Sequence, residues 1–164
     1  MYVKKQVSAE EYNKGFFLVS LLRKERMFFL SSEILHEQVL EIWEIDDILI
    51  AMERTKDMAI DIGFEENDIL QLQLVAEEAC TNSYEYVLQE RAFPILFILK
   101  QDQNYIEIFI KQQGGNLSFE NVDDSKTNYS LRGRGLSLIR TIMDECRVTK
   151  DEFLTIIYLK KVKQ

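Results

Sequence analysis

The chain has 164 residues, 46% of them apolar and 29% charged, a size that suits one compact domain with a full core and leaves little room for two. Twenty basic against 28 acidic side chains give a net charge of −8, which argues against a nonspecific nucleic-acid binder and favours a basic partner surface. Cys80, Cys146 and one histidine are too few for a disulfide framework or a structural zinc site, and ten Phe with seven Tyr argue against disorder.

The N-terminus, MYVKKQVSAEEY, has no apolar segment, and apolar runs elsewhere are only a few residues long. No membrane span is expected, the expected location is the cytoplasm, and both thiols should be reduced. Ser8 with Glu11 forms a capping-box pattern ahead of Phe16, Phe17, Val19, Leu21 and Leu22, which predicts a helix from about Ala9 to Arg26. Val39 to Ile45 alternates as a strand, and Asp46 or Asp47 is placed to cap a helix that runs to Ile62 and stops at Gly63. A long helix is predicted from Glu66 to Glu90, with Leu70, Leu72, Leu74, Val75, Ala79, Tyr86 and Val87 broadly on one side.

Pro94–Leu99 and Tyr105–Ile110 flank the polar Gln101–Asn104 and read as a β-hairpin with one buried face. A glycine loop follows Ile110, and residues 115–132 form a polar connector of the length usual for a functional lid or a disordered segment. Helical spacing returns from Gly135 to Glu145, and strands at 147–150 and 153–160, joined at Asp151–Glu152, close the chain. This order predicts a two-layer α/β sandwich whose sheet is mixed and mainly antiparallel, with the helices on one face.

Several polar groupings stand out. Glu78 and Asn82, four apart, project from one helix face, and a carboxylate beside a carboxamide suits an oxygen-bound Mg²⁺ next to a proton acceptor. Taken alone, that pair is also ordinary content for a solvated helix face. Gly133-Arg134-Gly135 reads as a glycine turn feeding a helix N-terminus, where backbone N–H groups favour phosphate, with Arg132 and Arg134 adding positive charge; a plain left-handed loop would look the same. Gln112-Gln113-Gly114-Gly115-Asn116 follows a strand and reads equally as a simple turn or as an amide placed beside a base edge. Cys80 is expected to be a buried small apolar residue, and nothing around His36 supports a phosphoacceptor.

Taken together, LVAEEACTNSYEYV (Leu74 to Val87) and LRGRGLSLIRTIMDECRV (Leu131 to Val148) resemble the N-box and second glycine box of the GHKL (histidine kinase-like) ATP-binding superfamily. The likeness is greatest to the bacterial anti-sigma-factor serine/threonine kinases and spans about Val39 to Lys161. It implies a Bergerat-type α/β sandwich over 39–164, with 1–38 as an N-terminal helical extension, and ATP with Mg²⁺ between sheet and helices under a lid at Asn116–Arg132. By position Glu78 falls on the family's catalytic base, Asn82 on its Mg²⁺ ligand, and Gly133 and Gly135 on the phosphate-cradling glycines. Thr155 falls on the threonine that helps to hold adenine, although the family's preceding glycine is replaced by Leu154. The first glycine box departs from the family's Asp-x-Gly-x-Gly: Gln112, Gly114 and Asn116 stand there, and an amide takes the place of the carboxylate that accepts the adenine amino proton. Exchanging a charge-assisted for a neutral hydrogen bond costs roughly 1–2 kcal/mol, or about five- to thirty-fold in affinity.

The resemblance implies an anti-sigma factor that sequesters a sigma factor and phosphorylates a serine on an anti-anti-sigma partner, without direct nucleic-acid or membrane contact. The family tendency and the acidic composition are compatible with a homodimer. The alternative, motivated by Gln112 and the unmatched N-terminal segment, is a degenerate, non-catalytic family member acting as a partner-switch module. A sensor-kinase catalytic domain is disfavoured, because His36-Glu37 lacks the following proline of a phosphoacceptor motif.

Overall fold

The structure, a computed structural model, describes residues 36–92, 94–114, 131–150 and 153–164, with 131–134 described through the backbone alone. The predicted helix at 9–26 and all of the expected lid except its last two residues lie outside the described residues. The elements follow in the order β1 (His36–Ile42), α1 (Asp47–Ile62), α2 (Glu66–Glu90), β2 (Ile95–Gln101), β3 (Tyr105–Gln113), α3 (Leu131–Ile142), β4 (Glu145–Lys150) and β5 (Leu154–Val162). The strands form one sheet in the order β1-β2-β3-β5-β4, and every neighbouring pair is antiparallel. The α/β sandwich stands as expected; the parallel component of a mixed sheet does not occur among the described strands.

Period-2 alternation sorts the strands into two faces. On one, Leu40, Phe97, Ile110, Ile157 and Val148 fall in a single row across all five strands, with Leu99, Ile108, Leu159 and Cys146 in the next. These residues join Ala51, Met58, Leu72, Val75, Ala76, Val87 and Ile139 of the helices in one core. Within it, α2 packs against both α1 and α3.

The other face carries a row in which charge alternates strand by strand: Glu37, Lys100, Glu107, Lys160, Glu145. Lys100 Nζ lies 3.7 Å from the Glu37 carboxylate, and the Tyr158 hydroxyl donates to Glu107 at 2.9 Å. Above this row Phe109 and Tyr158 stack obliquely with centroids 5.1 Å apart, and Arg147 lies over the Tyr158 ring. Cross-strand pairs of opposite charge and paired aromatics are the units that stabilise a sheet.

Element boundaries shift where backbone groups find better partners. The first strand spans 36–42 rather than 39–45, because the N–H groups of Trp43 and Glu44 donate to the Asp47 carboxylate at 2.8 and 3.0 Å and leave the ladder. Asp47 thus ties the entry to α1 from within its first turn, and Asp46, at the N-cap, makes no side-chain cap bond. Gly63 ends α1 in left-handed conformation, and the N–H of Phe64 reaches back to the Ala59 carbonyl at 3.0 Å, a Schellman arrangement. Arg91 ends α2 with φ 55°, the only non-glycine positive φ among the described residues.

The third helix differs more. It begins at Leu131, not after Gly135, so Gly133 and Gly135 lie inside its first turns instead of in a preceding glycine turn. It stops at Ile142 rather than Glu145, because Asp144 N–H bonds the Lys160 carbonyl at 2.9 Å and draws the chain into the sheet. The last strand likewise extends to Val162, whose N–H donates to the Asp144 carboxylate at 2.7 Å.

Candidate functional site

Helical spacing places Glu78, Asn82 and Tyr86 one turn apart along one side of α2. Two glycines distant in sequence close on this side. A Cβ built on Gly135 would fall within the Glu78 carboxylate and 3.4 Å from the Asn82 amide nitrogen. A Cβ on Gly114 would stand 2.8 Å from the Tyr86 hydroxyl, and Gly114 also has φ +67°, which L side chains rarely adopt. Gly135 is therefore required for close approach of α3 to α2, and Gly114 for both its backbone angle and its neighbour.

The floor of the site is the end of the sheet. Gln112 and Gln113, read from sequence as loop, continue β3, and Gln112 pairs with Thr155 while Gly114 N–H bonds the Phe153 carbonyl at 2.9 Å. Gln112 is 2% exposed and Thr155 1%, both on the helix-covered face. Among the described residues, Gln112 Oε1, Asn82 Nδ2 and Ser83 Oγ are buried without a hydrogen-bond partner, as is Gln101 Oε1 at the other end of the sheet. Buried polar atoms are nearly always paired in proteins, so the three on α2 and the end of β3 suit a polar ligand between these elements.

The structure thus brings Glu78, Asn82 and Gly135 together, and puts Gln112 beside Thr155. Arg132, Gly133 and Arg134 sit in the first turn of α3 without described side chains, and Asn116 lies outside the described residues. Sequence reasoning missed Tyr86 and Ser83 as site residues; the i+4 step from Asn82 to Tyr86 was the available signal for the first. Cys80 is fully buried and its thiol is pushed far above the usual range by desolvation, as expected for a core residue rather than a nucleophile. Burial also raises the Cys146 thiol to about 11, partly opposed by Arg140.

The histidine kinase-like ATPase domain family matches residues 46–161, from the entry of α1 to the end of β5. The chain belongs to this family. As a histidine kinase-like ATPase domain it shares 27% identity over 112 residues with the serine-protein kinase RsbW of Bacillus cereus strain AH820, covering 63% of this chain and 70% of that kinase. The same identity and coverage hold for RsbW of Bacillus thuringiensis strain Al Hakam. The fold is similar to a chain in the crystal structure of the SiaB-SiaC complex from Pseudomonas aeruginosa, with a TM-score of 0.61 and 12% identity over 89% of this chain and 99% of that one. The resemblance read from the two motif segments is therefore borne out at the level of family and fold. No helix among the described residues is long and apolar enough to cross a membrane.

Proposed function

We propose that this chain is an anti-sigma regulatory factor with ATP-dependent serine/threonine kinase activity towards an anti-anti-sigma partner. The observation that carries the reading is the convergence of Glu78 and Asn82 on Gly135, in an ATPase domain whose relatives include serine-protein kinases. The residues fit a nucleotide: among the described residues the acceptor oxygen of Gln112 and the donor nitrogen of Asn82 lack partners, which suits an amino group and a phosphate oxygen, and one added Cβ would fill the cradle beside them. Mg²⁺ in such sites is completed by phosphates and water, so it needs few protein ligands. The described residues hold no cluster of three or more His, Cys, Asp or Glu.

In this reading Asn82 would hold Mg²⁺ through its amide oxygen, and the backbone of Gly133 and Gly135, at the positive end of α3, receives phosphate with Arg132 and Arg134 adding charge. Gln112 and Thr155 hold the adenine, with Gly114 bordering it. Bound MgATP supplies the phosphoryl group. Glu78 takes the proton from the partner's serine hydroxyl, a task for a carboxylate fixed within hydrogen-bond reach. The domain spans 39–164, and the protein works in the cytoplasm as a homodimer that sequesters a sigma factor.

The test is to incubate the purified chain with MgATP and each candidate anti-anti-sigma protein and to look for phosphoserine by mass spectrometry. Transfer is expected, falling about 10²–10⁴-fold in Glu78→Gln with nucleotide affinity kept. No transfer to any cognate partner while ATP is bound overturns the kinase reading. Gln112 favours a second reading, a partner-switch module without nucleotide. For that reading, wild type binds no ATP to millimolar concentration, whereas Gln112→Asp does.

A further inference from the structure

In the nucleotide reading above, the position that meets the base is held by a primary amide, and an amide has chemistry a carboxylate lacks. An ionised carboxylate only accepts hydrogen bonds, whereas a glutamine side chain offers one acceptor oxygen and two N–H donors at nearly the same place. Gln112 is 2% exposed, is fixed in the ladder opposite Thr155, and its Oε1 has no partner among the described residues. The terminal torsion of Gln is broad and roughly two-fold, so the amide can present either its oxygen or its nitrogen at the same place. Turned one way, the amide accepts from a 6-amino group; turned the other, it donates to a 6-oxo group.

We propose that Gln112 makes this nucleotide site indifferent to the 6-substituent of the purine, so that it takes 6-oxo purine nucleotides alongside ATP. The inference rests on the nucleotide-binding reading above and specifies its ligand class. A carboxylate facing a 6-oxo group sets two acceptors against each other in a buried place, where an unpaired polar group is penalised heavily. Sites built on one hydrogen-bond pattern reject the mismatched analogue by large factors, and a group that matches both patterns cannot.

Calorimetric titration of the full chain with MgATP and with MgITP, each to millimolar concentration, decides it. ITP differs from ATP at the 6-position and the adjoining ring proton, without the 2-amino group of GTP. Wild type is expected to bind the two with dissociation constants within about tenfold of each other, and Gln112→Asp to open the ratio in favour of ATP by about a hundredfold or more. Gln112→Asn, which keeps an amide, keeps the narrow ratio. Wild-type binding of ATP with ITP a hundredfold weaker overturns the inference while leaving the nucleotide site standing. An equally narrow ratio in a folded Gln112→Asp overturns Gln112 as the reader. Saturable binding of neither nucleotide, by wild type or by Gln112→Asp, overturns the nucleotide reading itself. The wild-type ratio needs no variant, so a Gln112→Asp that fails to fold does not shelter the proposal.

Discussion

Along β3 the alternation of side chains produces two different polar environments five residues apart. Glu107, on the face turned from the helices, stands between Lys100 and Lys160 in register and accepts the Tyr158 hydroxyl. Gln112, on the helix-covered face, is buried with its oxygen unpartnered among the described residues. The first arrangement is complete in itself, with acid opposite base on every strand. The second has no such complement among the described residues. Polar residues that satisfy one another stabilise a sheet, and buried ones that do not are where a ligand should be sought.

The contrast can be broken most severely by emptying the covered face. Ile108→Ala, fully buried between the layers, is expected to lose about 2–5 kcal/mol of stability in denaturant titration. Next comes Gly135→Ala. The added methyl overlaps the flexible end of Glu78 and touches the Asn82 amide at an ordinary contact distance, and alanine is favoured over glycine within a helix, so stability should hold once Glu78 moves aside. Displacing the Glu78 carboxylate should nonetheless cut phosphoryl transfer by about a hundredfold, within the range for losing a general base. A large drop in Tm with transfer intact would mean that Gly135 serves packing alone. Gly114→Ala should cost about 1–2 kcal/mol for its left-handed backbone, and Tyr86→Phe in that background should relieve only the contact with the hydroxyl.

The other face should respond weakly. Lys160→Met interrupts the alternating row and removes the ammonium over the Tyr105 ring, and the expected loss stays below about 1 kcal/mol and shrinks further in high salt. A larger, salt-independent loss would mean that the row is better desolvated than its geometry suggests. The mildest test is alkaline titration of Cys146, whose thiol is raised from 9.0 to about 11 by burial. The folded state then holds its proton longer than the unfolded chain. Its contribution is complete below pH 9 and is lost as pH rises towards 11, and Cys146→Ala should flatten that part of the stability profile.

Much of this architecture was legible because it is written in local signals. The stop at Gly63, the span Glu66–Glu90 and the hairpin about Asp102–Asn104 depend on neighbours within a turn or two, and period and glycine placement expose them. The motif segments also put Glu78, Asn82, Gly133 and Gly135 forward together, and the family match bears out the resemblance that joined them. What misled was termination. The end of α3 at Ile142, the end of β1 at Ile42 and the extension of β3 to Gln113 are set by competition for backbone partners, and the winning partner often comes from another element.

The sequence by itself therefore determined the fold class, the order of the elements and the residue types available for chemistry, because periodicity, composition and short-range capping are local properties of the chain. The tertiary structure alone decided that Gly135 closes on Glu78, that Gly114 meets Tyr86, and that Gln112 lies buried opposite Thr155 with an oxygen to spare. Those are contacts between segments far apart along the chain, fixed by strand register and by how closely two helices can approach, and no local pattern encodes either.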